Sequence, residues 1–185
     1  MSNFRQHIKD NPLEELKIFS GKFISIGLLV KYPERFEEYL SDLEINSYDI
    51  KNFEVNIAVP DNESEFQAIS KVIEKTPIEV RVVKLPYEYL NAMKSHNIMI
   101  KELSDQNTYF YINNSDRCRF SSKNWDIIIK QYIGSVPDDM FFLRGSNFSK
   151  NMKFRKSAQD AYYFPEQWGV YTRRYLQATD GFLEF

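Results

Sequence analysis

Apolar runs with the composition of buried strands alternate with helix-patterned stretches along most of this chain. The predicted strands cover residues 22–30, 53–59, 78–85, 108–113 and 139–145. Apolar residues recur at helical spacing between them, at residues 32–45, 63–75, 87–103 and 123–133. Strands that alternate with helices of this length form βαβ units. The sequence therefore predicts an α/β fold with a mostly parallel sheet and flanking helices.

The chain is predicted to form a single domain with three parts: the core and a segment on either side of it. Residues 1–21 predict an N-terminal helical extension, because Asn11 is a good N-cap, Pro12 suits the first helical position and Gly21 suits a helix end. Residues 22–145 form the predicted α/β core. Residues 146–185 predict a covering segment with a short helix at 170–179.

Composition and missing motifs exclude several classes of protein. The formal net charge of −2 gives no basic field that would attract nucleic acid. The sequence lacks a run of membrane-spanning length and a signal-peptide apolar region, and its single cysteine suits a reducing compartment, so a cytoplasmic location is predicted. The glycine-rich dinucleotide, P-loop, zinc-protease and G-x-S-x-G motifs are all missing.

Cys118 and His96 are the residue types of a nucleophile and its base. The alternative is a partly buried small cysteine and an ordinary helix histidine, which the sequence favours because neither residue lies in a recognisable catalytic motif.

Polar residues follow two of the predicted strands. The second strand runs into "VPDNES", which contains Asp61, and the fourth runs into "NNSD", residues 113–116. The carboxyl ends of parallel strands share one edge of a sheet, which is where ligands bind in open α/β folds. Turn chemistry and helix capping explain the same residues without a ligand, and Asp61 is a candidate N-cap of the helix that follows.

The order of four short segments resembles the glycosyltransferases of the GT-A fold, in particular the large family 2 group. The segments are "IGLLVKYPERF", "IAVPDNES", "KSHNIMIKELSDQNTYFYINNSD" and "TDGFLEF". They match, in turn, the family's first strand and helix start, its D-x-x-S turn, its Asn-containing helix before an acidic motif, and its GGFDE-like segment. The resemblance covers roughly Ile24 to Phe185.

The resemblance implies a nucleotide diphosphate sugar as donor and an acceptor hydroxyl of unknown identity. It makes residues 22–145 the nucleotide-sugar core and 146–185 the acceptor side. Asp61 would contact the base, while Asn97 and Asn113 would shape the donor pocket.

The same resemblance implies a divalent cation, Mn²⁺ or Mg²⁺, at the family's D-x-D motif. That motif falls on "NNSD", where Asp116 is the one acid and Asn113 and Ser115 stand where the family prefers Asp. Neutral oxygens hold these ions less well than carboxylates, so weak metal binding is expected. Glu184 would be the general base.

Two other interpretations stay open. The missing acids favour a non-catalytic GT-A-like module that binds a nucleotide sugar or a protein partner, and a plain α/β domain needs only turns and caps. Trp168 is a candidate to stack on a sugar, whereas Trp125 fits the core. Six basic residues of the C-terminal part suit either a diphosphate or a solvated surface: Lys150, Lys153, Arg155, Lys156, Arg173 and Arg174.

Overall fold

The computed structural model describes residues 21–144 and 169–182. Its strands are β1 (Ile24–Leu29), β2 (Phe53–Pro60), β3 (Val80–Leu85), β4 (Phe110–Ser115), β5 (Phe142–Arg144) and β6 (Gly169–Thr172). Its α-helices are α1 (Pro33–Asn46), α2 (Glu63–Ile73), α3 (Ala92–Glu102), α4 (Trp125–Lys130) and α5 (Arg173–Ala178). Single 3₁₀ turns lie at Ile50–Asn52 and Tyr87–Tyr89.

The six described strands form one sheet in the order β3-β2-β1-β4-β6-β5. The first four strands are parallel, and β6 pairs antiparallel with both β4 and β5. The predicted mostly parallel α/β sheet is therefore confirmed. The chain adds β2 and β3 on one side of β1 and then returns to place β4 on the other side.

The sheet has two faces of different chemistry, both of them buried. On the apolar face, β1 and β2 contribute alternate residues such as Ile26, Leu28, Val55 and Ile57, which pack with α1, α2 and α4 in the main core cluster. We call the opposite side the mixed face; it carries Ser25, Gly27, Glu54, Asn56 and Tyr111 and is covered by α3 and α5. Period-two alternation of strand side chains produces this separation.

Three predictions of secondary structure are corrected by the structure. Residues 170–179 are not one helix: Gly169–Thr172 form β6, and the helix begins only at Arg173. The strand expected at 139–145 contains just Phe142–Arg144 among the described residues. Tyr87–Tyr89 form a separate 3₁₀ turn, so the third long helix starts at Ala92 with Asn91 as its cap.

The extension predicted at residues 1–21 lies outside the described residues except for Gly21. The C-terminal segment enters the sheet, because β6 lies between β4 and β5. Within 21–144 and 169–182, no helix has both the length and the apolar character needed to cross a bilayer.

Candidate functional site

The carboxyl ends of β1 and β4 form the topological switch point of the sheet. These strands are neighbours, yet the chain continues from β1 towards β2 and β3 at one end of the strand order and from β4 towards β5 and β6 at the other end. Leu29 and Ser115 pair in register, so β1 and β4 end at the same level, whereas β2 continues two residues beyond Ala58, the partner of Leu29, to Pro60. Ligands of open α/β sheets bind in the crevice at such a point.

Asp61 and Asp116 lie at this same edge, as the sequence predicts. Asp61 directly follows β2, is exposed, and donates its backbone N–H to the Leu85 carbonyl at 2.9 Å. Asp116 directly follows β4. Strand β1 lies between them, so the two strand ends are about 10 Å apart at the usual strand spacing. A ligand of nucleotide size is long enough to span this separation.

Asn62, not Asp61, caps the helix that follows β2. The Asn62 side chain accepts the backbone N–H groups of Ser64 at 3.0 Å and Glu65 at 3.3 Å. The capping role considered for Asp61 is therefore wrong. The Asp61 carboxylate does not take part in the cap, and its side chain is exposed at the carboxyl edge of the sheet.

Asp116 is the most unusual acid at the edge. Its side chain is only 5% exposed, and Oδ1 has a long contact of 3.4 Å with the Ser115 hydroxyl. Its Oδ2 is buried and has no hydrogen-bond partner. A buried carboxylate oxygen without a partner is costly, and this cost is removed when a cation or a hydrogen-bond donor binds.

The rest of the "NNSD" motif divides between the two faces of the sheet. Asn113 is buried on the mixed-face register, beside Gly27 of β1 and Gly169 of β6. Ser115 accepts the backbone N–H of Arg117 at 3.3 Å, which shapes the turn after β4. The motif therefore does not converge on one point, since alternate strand residues point to opposite faces.

Asn114 is a residue that the sequence analysis did not single out. Its side-chain nitrogen Nδ2 donates to the Tyr39 hydroxyl of α1 at 2.9 Å, and its side-chain oxygen Oδ1 accepts the Ser115 backbone N–H at 2.7 Å. It fixes the tip of β4 against the helix that starts at the end of β1. The strand pattern of "YFYINNSD" was the available signal, because it puts Asn114 on the face of Phe110 and Ile112.

Asn97 holds the C-terminal segment onto α3. Its amide nitrogen donates to the Phe182 carbonyl and its amide oxygen accepts the Phe182 N–H, both at 2.8 Å. Gly181 makes the close approach possible, since its φ is +90° and an added Cβ would lie 2.5 Å from the Asn97 oxygen. A donor-pocket role for Asn97 stays a prediction. The two hydrogen bonds with Phe182 are those of a structural clamp.

His96 and Cys118 do not form a catalytic pair. His96 contacts the Tyr111 hydroxyl at 2.8 Å on the mixed face, whereas Cys118 packs in the core cluster of the apolar face. Burial lowers the pKa of His96 to about 3 and raises the pKa of Cys118 to about 12. The histidine is thus neutral and the thiol is unreactive at neutral pH, as the structural interpretation of both residues predicts.

The basic and aromatic candidates fall into three groups. Trp125 is 4% exposed and packs on Phe53 and Phe120, which confirms its place in the core. Arg174 is exposed, but Arg173 is buried among polar groups at the amino end of the strands, so a solvated surface position is wrong for Arg173, which lies at the opposite edge of the sheet from Asp116. The candidates outside the described residues are Lys150, Lys153, Arg155, Lys156, Trp168 and Glu184.

The edge offers a divalent cation one carboxylate with a free oxygen. Within the described ranges, no group of three or more His, Cys, Asp or Glu residues could enclose a metal ion. Mg²⁺ and Mn²⁺ are commonly held by one or two carboxylates together with substrate phosphates and water. The unpartnered Asp116 oxygen suits that shared kind of site and does not suit a site built from protein ligands alone.

Comparison with solved structures identifies the fold. No protein-family model and no curated protein matches this chain. A mannosyltransferase from Pyrobaculum calidifontis, in complex with GDP-Man and Mn²⁺, matches with a TM-score of 0.64 at 11% identity, over 98% of this chain and 54% of its own. S. aureus TarS 1–349 in complex with UDP-GlcNAc matches with a TM-score of 0.57 at 14% identity, over 85% of this chain and 47% of its own.

A second structure of S. aureus TarS 1–349 matches with the same TM-score of 0.57 at 15% identity. This chain thus spans about half the length of the glycosyltransferases it resembles. At identities of 11–15%, the similarity lies in the fold and not in the sequence. The chain therefore has a GT-A-like glycosyltransferase fold.

Proposed function

We propose that this protein binds a nucleotide diphosphate sugar at the carboxyl edge of β1, β2 and β4, and that it transfers the sugar to an acceptor hydroxyl. The observation that carries this proposal is the buried, unpartnered Oδ2 of Asp116 at the switch point of the sheet. A strand tip that leaves a carboxylate oxygen unsatisfied is prepared for a charged ligand. The structural neighbours support the ligand class, because they hold GDP-Man and UDP-GlcNAc.

Asp61 would bind the base of the donor, since it is exposed on the same edge and is not needed as a helix cap. The Asp116 carboxylate would lie towards the diphosphate, where direct contact between the two anions is unfavourable. A divalent cation shared by Asp116 and the diphosphate removes this repulsion and neutralises the charge that develops on the leaving group. Asn113 and Ser115 lie on the mixed-face register of β4, and we propose that they shape the donor pocket with neutral groups only.

Exposed cations at the edge give the diphosphate a second source of positive charge. Lys31 follows β1, Arg35 lies 4.5 Å over the Tyr32 ring in the first turn of α1, and Arg117 follows Asp116. Arg119 is less available, because it pairs with Glu38 and with Asp42 on α1. These positions suit a donor whose diphosphate is bound mainly by cationic side chains, with a smaller contribution from a divalent cation.

The acceptor side depends on residues beyond those described. We propose Glu184 as the base that removes the proton of the acceptor hydroxyl as it attacks the sugar carbon. It follows Phe182, which Asn97 holds against α3. We also propose a reducing compartment for the protein, since its one cysteine is a buried free thiol.

A non-catalytic module that binds nucleotide sugars is the second candidate. It is favoured by a specific observation: Asp116 is the single acid of the "NNSD" motif, and the described residues contain no group of acids able to enclose a metal. Such a module would bind the donor at the same edge and leave it intact. The two candidates therefore share a binding site and differ in turnover.

Calorimetric titration with GDP-mannose and UDP-GlcNAc, each with and without Mn²⁺, tests the binding site. We expect one donor to bind, and we expect Mn²⁺ to tighten binding about tenfold in the wild type but not in Asp116→Asn. The control is Asp138→Asn, which changes an exposed acid that contacts only its own turn. Equal behaviour of wild type and Asp116→Asn would remove Asp116 from the site.

Release of nucleotide diphosphate in the presence of simple sugar and lipid acceptors then separates the two candidates. Turnover that Glu184→Gln abolishes, with donor affinity unchanged, supports the transferase. Donor binding without any turnover supports the binding module. A protein that binds neither donor in either metal condition would refute both.

A further inference from the structure

Arg173 is a buried cation whose hydrogen bonds all go to neutral groups. The residue is 6% exposed. Its Nη2 donates to the Thr108 hydroxyl at 2.5 Å, to the Ser104 hydroxyl at 2.6 Å and to the Asp105 carbonyl at 2.9 Å. Nη2 also lies 3.5 Å from the Ser25 hydroxyl, and Nε lies 3.5 Å from the Thr108 carbonyl.

The positive charge of Arg173 is not neutralised by contact with a carboxylate. Among residues 21–144 and 169–182, Arg173 forms no ion pair. The buried acid Glu54 accepts Ser25 and the Asp105 N–H on Oε1, and its Oε2 forms an ion pair with Arg81 at 3.2 Å, so its contacts are with these groups and not with Arg173. Burial accordingly lowers the pKa of Arg173. The carboxylates of Glu54 and Asp105 attract the charge without contacting it, so a buried guanidinium remains without a contacting carboxylate, and a bound anion would lower the cost of its burial.

One donor atom of this guanidinium is also unused. Nη1 is buried and makes no hydrogen bond, whereas Nη2 makes several. The Nη2 contacts fix the orientation of the planar group, so Nη1 is held in place without a partner. Arginine presents its donors as a rigid fork that matches the oxygens of a phosphate.

Arg173 lines a cavity of about 280 Å³ between α3 and α5. Lys101 and Gln106 lie on one side of it, and Gln177 and Asp180 lie on the other. This volume greatly exceeds the roughly 30 Å³ that one water occupies in the liquid, so it has room for a small organic molecule. Its charged lining consists of two cations and one acid, which leaves a net positive charge.

We propose that this cavity is a binding site for a small phosphate-bearing anion, held by Arg173 and Lys101. It lies at the amino end of the strands, where Ser25, Glu54 and Thr108 meet, on the opposite edge of the sheet from Asp61 and Asp116. The two acids of the proposed donor site thus lie at the other edge, and of the residues proposed for the donor only Asn97 also lines this cavity, so anion binding here does not require a bound donor. The bound anion would join α3 to α5 and support the segment that Asn97 holds through Phe182.

Asp180 provides a test of opposite sign to that of Lys101. It lines the same cavity and opposes an anion. Its φ is +54°, a conformation that asparagine tolerates well, so Asp180→Asn removes the charge with little backbone strain. If the cavity binds an anion, Lys101→Gln weakens binding and Asp180→Asn strengthens it.

The experiment is a calorimetric titration with inorganic phosphate and with glycerol phosphate at fixed ionic strength, chloride being the reference. Inorganic phosphate is expected to bind the wild type. Compared with the wild type, Lys101→Gln should bind it at least threefold more weakly, and Asp180→Asn should bind it at least threefold more tightly. Lys71→Gln changes an exposed lysine of α2, which packs on the other face of the sheet, and this matched control should bind phosphate like the wild type. Tighter binding of the ester would identify a phosphomonoester as the ligand.

Arg173→Lys should abolish binding, but this buried variant can lose its fold as well. Nitrogen NMR of the arginine side chains in the wild type supplies the second readout: phosphate should shift the Arg173 signals, with the same shift in Asp116→Asn. The absence of binding to the wild type would overturn the proposal. Equal phosphate affinity in Lys101→Gln, Asp180→Asn and wild type would also overturn it.

Discussion

The two faces of the sheet are equally buried, but they are stabilised by different forces. Along β2, Phe53, Val55 and Ile57 enter the apolar core, while Glu54 and Asn56 on the alternate positions are also fully buried. The apolar face gains stability from area removed from water and tolerates many combinations of similar shapes. The mixed face depends on a particular set of partners, because each buried polar group needs its own.

This difference shows where the fold is specified and where it has room for function. The Ser25 hydroxyl donates to Glu54 at 2.7 Å and contacts Thr108 at 2.9 Å, so β1, β2 and the approach to β4 are joined by polar contacts. Both polar atoms that we interpret as binding groups, Asp116 Oδ2 and Arg173 Nη1, are buried atoms left without partners. They lie at opposite edges of the sheet, and they share the lack of a hydrogen-bond partner with Glu54 Oε2, Asn56 Oδ1 and Trp125 Nε1 of the described residues.

The largest expected effect comes from conservative changes on opposite faces of β2. Glu54→Gln should lower the free energy of unfolding by about 3 kcal/mol, since breaking a buried charged network typically costs about 3–5 kcal/mol. Ile57→Val on the apolar face should cost only about 1 kcal/mol. Urea denaturation of both variants measures the difference. A smaller loss for Glu54→Gln than for Ile57→Val would contradict the contrast between the faces.

The close approach at Gly27 gives the next effect. A Cβ added there would lie 1.9 Å from the Tyr111 hydroxyl oxygen and 2.7 Å from His96 Nδ1. Gly27→Ala should therefore destabilise the protein by about 2 kcal/mol or more, as overpacking does.

Tyr111→Phe removes the atom that the Gly27→Ala methyl group would meet first. The double variant Gly27→Ala/Tyr111→Phe should consequently lose less than the sum of the two single losses, when thermal unfolding is compared in a double-mutant cycle. Strict additivity would mean that the backbone moves away from the clash, and that the mixed face is less tightly defined than we infer.

The β6 strand shows where sequence patterning reaches its limit. The parallel strands and the shared edge of Asp61 and Asp116 were predictable, because alternation and chain direction determine them. Residues 169–172 were not, since "GVYT" continues without a break into the helix-forming "RRYLQA" and gains its strand conformation by pairing with β4. Local sequence patterns thus predict the succession of strand and helix wherever a turn separates a strand from the helix that follows it.

The candidate site could be predicted in part for the same reason. Asp116 follows from the strand pattern, but its unpartnered oxygen depends on the packing around it. The Asn97 contact with Phe182 joins residues 85 positions apart, and the burial of Arg173 depends on Ser104 and Thr108 from another part of the chain. Side-chain contacts of this range are set by tertiary structure and leave no local periodicity.

The pH dependence of stability tests the mixed face through His96. Its pKa is lowered to about 3 by burial, below the value of about 6.5 in the unfolded chain. The unfolded state therefore binds a proton first, and stability is lost as the pH falls below about 6.5. At pH 5 the expected loss from this residue is about 2 kcal/mol.

Denaturation curves of wild type and His96→Gln between pH 5 and 7.5 isolate that contribution, because the acidic groups are common to both proteins. The variant should be less stable at pH 7.5 and should have a flatter dependence on pH. Parallel pH profiles would mean that His96 becomes protonated in the folded state, and that the mixed face admits charge.

The smallest effect separates folding from binding at the edge where the two faces meet. Asn62 caps α2, a helix of the apolar face, so Asn62→Ala should lower stability by about 1 kcal/mol. Asp61→Ala should change stability by less than about 0.5 kcal/mol, as exposed sites without structural partners do. If our proposal is correct, affinity for a nucleotide diphosphate sugar responds in the opposite order: Asp61→Ala weakens it and Asn62→Ala does not. Thermal unfolding and calorimetric titration of the two neighbouring variants measure both quantities. If Asp61→Ala loses stability as well as affinity, Asp61 supports the fold of this edge. The loss of affinity would then follow from the loss of structure and not from a missing contact with the donor base.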